Sequence, residues 1–383
     1  MNGLACFGIA LDCTDDPLKV ALRRRYAQNR FPWKLVFSDP YDGLTHHLDD
    51  LFDSFCCEKV GKIGVESWLT PTPTLDDLSL ITPVNYTVFM DGNGCREYSS
   101  KVEYFVESRV SPGIPVMIAA DHSMTGGVLS GLKRRYAPKD VTVFILDSHF
   151  DAFSIRQTAN VVKYSKEKYP HYMNVLCGSE FPTLDIDHIS IPESYNCSTF
   201  LRYLLREGTI LPENLVVIGV SDYPTEELGR NVYTKEYADA YFEYERNGVV
   251  FIPKCDLQRG NIDKILDGVL GDRETPCAYV SLDVDVGAVS AIQGARFMNV
   301  VGISEKLLYT LMSSLGKRIS QYEKKLVGFD VCEIDAYLAG RCLNDRIDDR
   351  TYEVVSKAVR LFLGQPAATE EDHAGAGKTH AST

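Results

Sequence analysis

Residues 141–151, VTVFILDSHFD, place six strand-favouring residues in a row and then break into Asp147, His149 and Asp151. A short run this apolar suits a strand buried on both faces. In extended backbone, residues two apart point to the same side. The three polar side chains are therefore expected to converge at the strand's carboxyl end. Holding them there is costly unless something compensates their burial. A divalent cation would do so. The competing reading makes Asp147 a helix cap and leaves the other two solvated in a turn.

Working outward, the same design recurs. IPVMIAADHS (114–123), NLVVIGVSD (214–222), AYVSLDVDV (278–286) and KLVGFDVCEID (325–335) are further apolar runs that end in acidic tips. Between them, 124–137 and 304–325 carry helical apolar spacing, with Ser304 as the N-cap of the second. Apolar strands alternating with helices predict an α/β fold: a three-layer α/β/α arrangement around a largely parallel sheet. Ligands of such sheets bind outside the carboxyl ends of the strands, where these acidic tips fall.

The first hundred residues are less regular. LACFGIALD (4–12) and YTVFMDG (86–92) read as strands, and HHLDDLFDSFCCEKVG (46–61) as a helix. The expected organisation is one catalytic domain over 1–364, with an inserted loop region over about 152–196. Residues 365–383, rich in Ala, Gly, Thr and charge, are expected to be a disordered tail.

Composition narrows the function. The 383 residues are 45% hydrophobic with a net charge of −13, which argues against a nucleic-acid or anionic-membrane surface. The eleven cysteines form no CxxC pair and no disulfide framework. The opening MNGLACFGIALDCTDD lacks a basic n-region, and no apolar run is long enough to span a bilayer. A reduced, cytoplasmic protein is expected.

Two further tips join the first. SLDVDVG brings Asp283 and Asp285 to a strand end, and AADHSMTGG brings Asp121 and His122 to another. His122, Asp147, His149, Asp151, Asp283 and Asp285 then supply four carboxylates and two imidazoles, more than one tetrahedral zinc uses. Two bridged metals fit that number, and oxygen and imidazole donors without thiolate favour a harder ion such as Mn²⁺.

DHS at 121–123, DSHFD at 147–151 and SLDVD at 281–285 resemble, in order, the three metal-binding signatures of the ureohydrolase superfamily. That superfamily includes arginase, agmatinase, guanidinobutyrase and formiminoglutamase. The likeness runs from about residue 114 to 335. It implies two Mn²⁺ per chain, a bridging hydroxide that attacks a guanidinium or amidine carbon, release of urea, and a homo-oligomer. Glu333, in GFDVCEID, matches the carboxylate that grips the guanidinium. Asp151 is implied as both a ligand and a proton relay.

Departures from that pattern point to the substrate. Where the family has a proton-shuttling His followed by Gly, SYNCSTFLRYLL (194–205) puts Cys197 and Ser198. Cys197, His171, His188 or none of them fills that role. The segment from Asp151 to Cys197 is longer than in arginases that hold free arginine. The third signature is followed by GAVSAIQGARFMNVVGIS (287–304) instead of a Pro- and Gly-rich run, with Arg296 as a second substrate-binding candidate beside Glu333. The expected substrate is an arginine side chain within a peptide, converted to ornithine, as in peptide arginases. The alternatives are a small guanidino or formimino compound, a metal-dependent deacetylase, or a non-catalytic scaffold. A deacetylase would use one zinc and a His-His pair on its catalytic loop, which the sequence does not show.

Overall fold

The computed structural model describes residues 3–168, 193–343 and 346–364. Its centre is an eight-stranded sheet. The strands are β1 (Leu4–Ile9), β2 (Glu58–Ile63), β3 (Ile114–Ala119), β4 (Val141–Leu146), β5 (Leu215–Ile218), β6 (Val250–Ile252), β7 (Cys277–Asp283) and β8 (Lys325–Cys332). They lie in the order β2-β1-β3-β8-β7-β4-β5-β6, and every neighbouring pair is parallel.

Helices cover both faces because each central strand is apolar on both sides. In β4, Val143 and Ile145 enter one core while Phe144 and Leu146 enter the other. The first core is closed by Val20 and Ala27 of helix Pro17–Ala27, Val128 and Leu132 of helix Thr125–Leu132, and Tyr237 and Tyr241 of helix Lys235–Arg246. The second is closed by helices Ile262–Gly271, Glu305–Gln321 and Thr351–Leu363. Burying each such Val, Leu, Ile or Phe contributes about 1.5–3 kcal/mol. Ser304 caps its helix as expected, its hydroxyl accepting from the Leu307 N–H at 3.3 Å.

Two early expectations are corrected. Residues 86–92 are not a strand: Pro83–Asp91 is a helix, with Pro in its first turn and the Thr82 hydroxyl accepting from the Asn85 N–H. Its aromatic and β-branched residues favour strands, but the cap and one buried anchor, Tyr86, prevail. The stretch 46–61 is not one helix either. It ends helix Pro40–His47, forms Asp49–Ser54, and then enters β2. As an edge strand, β2 is mostly exposed and charged, so it lacks the apolar signature of its neighbours. The expected tail and most of the inserted loop lie outside the described residues. Helix Ile155–Lys168 occupies the loop's beginning.

Candidate metal centre

Three strand ends build the site. β3 runs into Asp121, whose side chain accepts from the Ser123 N–H at 3.0 Å and so caps a short turn, His122–Met124. The helix that follows starts Thr125-Gly126-Gly127 and packs tightly. A Cβ at Gly127 would overlap the Ser99 carbonyl, and one at Gly126 the Tyr195 hydroxyl. His122 is thereby held fully buried.

β4 stops at Leu146, so the pleat alone does not carry Asp147, His149 and Asp151 to one side. The chain folds back instead. The His149 N–H donates to Asp147 Oδ1 at 2.6 Å, and Asp151 adopts a left-handed φ of 47°. On β7, Asp283 Oδ1 accepts from the Asp285 N–H at 2.8 Å and turns the chain so that both carboxylates stay buried.

These turns bring the six candidates together. His122 Nδ1 lies 3.0 Å from Asp283 Oδ2, 3.1 Å from Asp151 Oδ2 and 3.3 Å from Asp147 Oδ2. His149 Nδ1 lies 2.9 Å from Asp285 Oδ2 and 3.6 Å from Asp147 Oδ1. His122, Asp147, Asp151 and Asp283 each offer one ligand atom within 4.8 Å of the others, and Asp147, His149 and Asp285 do the same. Asp147 belongs to both groups.

The electrostatics demand a counter-charge. Burial alone would lower both imidazoles, but the surrounding carboxylates push His122 and His149 well above the usual histidine range. Burial, then the Asp147 charge, pushes Asp151 up to about 7. Burial also raises Asp283 and Asp285, whereas bonds from the two imidazoles overcome it at Asp147 and hold that carboxyl low. With both histidines protonated and all four carboxylates ionised, two negative charges are left over. A single N–H at His122 Nδ1 cannot satisfy three carboxylate oxygens. Among the described residues, His149 Nε2 and Asp147 Oδ2 are buried without a well-directed hydrogen bond. This donor set fits two hard divalent cations better than it fits protons.

Glu333 stands one residue past β8, buried, with a left-handed φ of 68°. Its Oε1 accepts from the His122 N–H at 2.7 Å and from Arg296 at 3.0 Å, while Oε2 is buried without a partner among the described residues. Burial pushes its carboxyl up to about 8, with Arg296 pulling the other way. Cys197 approaches the same corner: its sulfur groups with oxygens of Asp121 and Glu333 within 4.8 Å. Burial holds its thiol well above the usual range. The neighbouring helix Phe200–Arg206 is tied to the centre by the Leu201 N–H bond to the Asp151 carbonyl and by the Phe200 ring against His122. Arg296 is turned inward, 3% exposed, with both terminal nitrogens bonded to protein. His171 and His188 lie outside the described residues.

Sequence reasoning missed a supporting layer. His122 Nε2 lies 3.0 Å from Ser281 Oγ, which donates to Asp330 Oδ1 at 2.5 Å; Asp330 also accepts from Tyr279. Such partners fix the orientation and tautomer of a ligating imidazole. The signal was available: Asp330 interrupts an otherwise apolar strand, and a buried carboxylate needs partners.

The arginase family model matches residues 63–361. No curated protein matches the chain in sequence. Among solved structures, the chain is similar to the arginase of Bacillus caldovelox, at 14% identity over 96% of this chain and 100% of that one, with a TM-score of 0.58. It is also similar to formimidoylglutamase of Bacillus subtilis, at 12% identity over 95% and 87%, with a TM-score of 0.53. Proclavaminate amidino hydrolase of Streptomyces clavuligerus aligns at 17% identity over 95% and 90%, with a TM-score of 0.51. At these identities the structural likeness shows the fold alone.

Proposed function

Since the chain belongs to the arginase family, whose members are metal-dependent hydrolases acting on amidino groups, we propose that it hydrolyses a guanidinium group to urea and an amine, with arginine side chains of a peptide as substrate. The observation that carries this reading is the six-residue centre lying against Glu333, whose second carboxylate oxygen is buried and unpaired.

His122, Asp147, Asp151 and Asp283 would hold one Mn²⁺, and Asp147, His149 and Asp285 the other. When bound, the ions supply Lewis acidity and a water of lowered pKa. The protein does the rest. Glu333 Oε2 accepts hydrogen bonds from the guanidinium and fixes the plane of a poorly electrophilic carbon, whose cation otherwise stays delocalised. Asp151, beside the proposed reacting centre, takes up and passes on a proton. Water's oxygen ends in urea, the carbon–nitrogen bond to the side chain breaks, and both water protons go to the leaving amine.

The long segment between Asp151 and Cys197 and the rebuilt run 287–304 support a peptide over free arginine. In the family pattern, the corresponding stretches serve the non-reacting end of the substrate. The same fold in formimidoylglutamase and proclavaminate amidino hydrolase keeps a small guanidino or formimino compound as the second reading. Urea release by Mn²⁺-loaded protein from an arginine peptide, free arginine and agmatine, side by side, tests the choice. Urea from the peptide alone supports the first reading, and urea from a free compound alone supports the second.

A further inference from the structure

Arg296 is a second guanidinium at the place proposed for the substrate's. Its Nη1 donates to Glu333 Oε1 at 3.0 Å, to Asp121 Oδ2 at 3.2 Å and to the Ala120 carbonyl at 2.9 Å. Nη2 donates to the Cys13 carbonyl at 2.7 Å, and Nε lies 3.0 Å from Asp12 Oδ1. These partners sit just beyond β1, β3 and β8, which are consecutive in the sheet. One planar fork therefore ties three strand ends together. A lysine, with one compact charge and no plane, could not reach all of them.

The tie to Glu333 is double. The Arg296 N–H donates to the Glu333 carbonyl at 2.8 Å, while its side chain takes Oε1. Glu333 sits in the left-handed region, which a non-glycine residue holds only when its surroundings over-determine it. Lys19 completes the frame by donating to the Arg296 carbonyl and lying 3.6 Å from Asp335.

A charge inventory gives this frame a direction. Arg23 Nη2 pairs with Asp12 Oδ1 at 2.6 Å. Arg23 and Arg296 thus face Asp12, Asp121 and Glu333, two cations against three carboxylates, while Lys19 and Asp335 balance each other. The cluster is one positive charge short. Among the described residues, the cluster's oxygen left without a partner is Glu333 Oε2.

We propose that Arg296 is the positioning residue for Glu333, occupying one carboxylate oxygen so that the other is fixed and reserved for a planar amidinium cation of the substrate. This rests on the proposed reading that Glu333 receives the substrate. The sequence departs here from the family's usual Pro- and Gly-rich run, so the device belongs to this chain's own rebuilt segment.

The test compares the full-length, Mn²⁺-loaded wild type with Arg296→Met, Arg296→Lys and Asp12→Asn. It reads kcat and KM for whichever guanidino compound is turned over, metal content, and calorimetric binding of N-acetyl-arginine amide. Losing the anchor is expected to raise KM and the dissociation constant by about 10-fold or more in R296M, with metal content unchanged. R296K should recover part of this. D12N, which leaves Glu333's own contacts in place, should shift the same way by less. A variant that only folds poorly would lower kcat through its active fraction and leave KM alone. If R296M does not fold, R296K and D12N carry the comparison. Wild-type KM and binding in all folded variants overturns the proposal and leaves the function intact. Binding that depends on Arg296 in a protein that hydrolyses nothing overturns the function and leaves the inference standing. Absence of both binding and turnover in the wild type overturns both.

Discussion

Asp147 Oδ2 lies 3.3 Å from His122 Nδ1, although β3 and β4, which lead to them, are separated in the sheet by β8 and β7. The His122 ring bridges that gap above Ser281 of β7. Asp147 closes it from the other side while also facing His149. The centre is thus assembled across four strands, and Asp147 is the residue both halves share.

Asp147→Asn should therefore impair both halves. The metal-loaded wild type is expected to hold two Mn²⁺ per chain, and the variant fewer than one at the same free concentration. Metal at about 100 times its dissociation constant adds about 2.7 kcal/mol per site. The rise in melting temperature on adding Mn²⁺ should accordingly be large in the wild type and small in the variant. Metal analysis after gel filtration, with a thermal scan, checks this.

The metal-free protein should lose stability as pH rises. His122 and His149 have folded pKa values above their unfolded ones, so their contribution is full below about 6.5 and is lost as pH climbs through the folded values. Asp151 is raised to about 7, so ionising it in the fold costs stability between its unfolded value, about 3.9, and 7. Both signs agree. Asp147, held low, acts only at more acid pH. Thermal scans from about pH 5.5 to 8 should show a falling midpoint without metal. Bound Mn²⁺ should oppose that fall, because its ligands must be deprotonated. A midpoint that rises over this range without metal would refute the electrostatic picture.

Ser281→Ala removes the hydroxyl between His122 and Asp330. A buried partner left unsatisfied costs about 1–3 kcal/mol, and loss of an outer partner typically weakens metal affinity about 10–100-fold. Titration with Mn²⁺ should show that loss, with the two-ion stoichiometry retained.

Glu333→Gln keeps the shape and the bonds from His122 and Arg296 but removes the charge. The fold and metal content should persist, while kcat/KM drops about 100-fold or more, in line with removing a charge-assisted contact to the reacting group. Cys197→Ser is the contrasting case. The thiol is pushed well above its usual range and stays neutral at pH 7–8, so this variant should keep activity within about an order of magnitude and an unchanged pH profile. Loss of the acid or alkaline limb in C197S would make the thiol a participant.

The sheet and the centre were legible because both leave strong local marks. A doubly buried parallel strand cannot alternate, so β4 and β7 announce themselves as apolar runs, and ligands cluster where such runs end. Edge strand β2 was not legible, because exposure on an edge erases that signature. Helix Pro83–Asp91 was misread because its β-branched residues outweighed the Thr82-Pro83 start in a short window. The convergence of Asp147, His149 and Asp151 was expected for an incomplete reason, since the loop turn at Asp151, not the pleat, completes it. Arg296 was picked out as touching substrate. The three-dimensional contacts place it against Glu333, 37 positions on, and the Cys13 carbonyl, 283 positions back, neither of which a local sequence window links to it.

The most direct measurement is mass spectrometry of an arginine-containing peptide after incubation with the Mn²⁺-loaded chain, with E333Q run in parallel. The account predicts that wild type converts arginine to ornithine within the intact peptide, with one urea released per residue changed, and that E333Q is slower by about 100-fold or more. An unchanged peptide from fully metal-loaded wild type, alongside urea released from a free guanidino compound, would contradict the peptide assignment. No reaction on either, nor on a formimino compound followed by formamide release, would contradict the hydrolase itself.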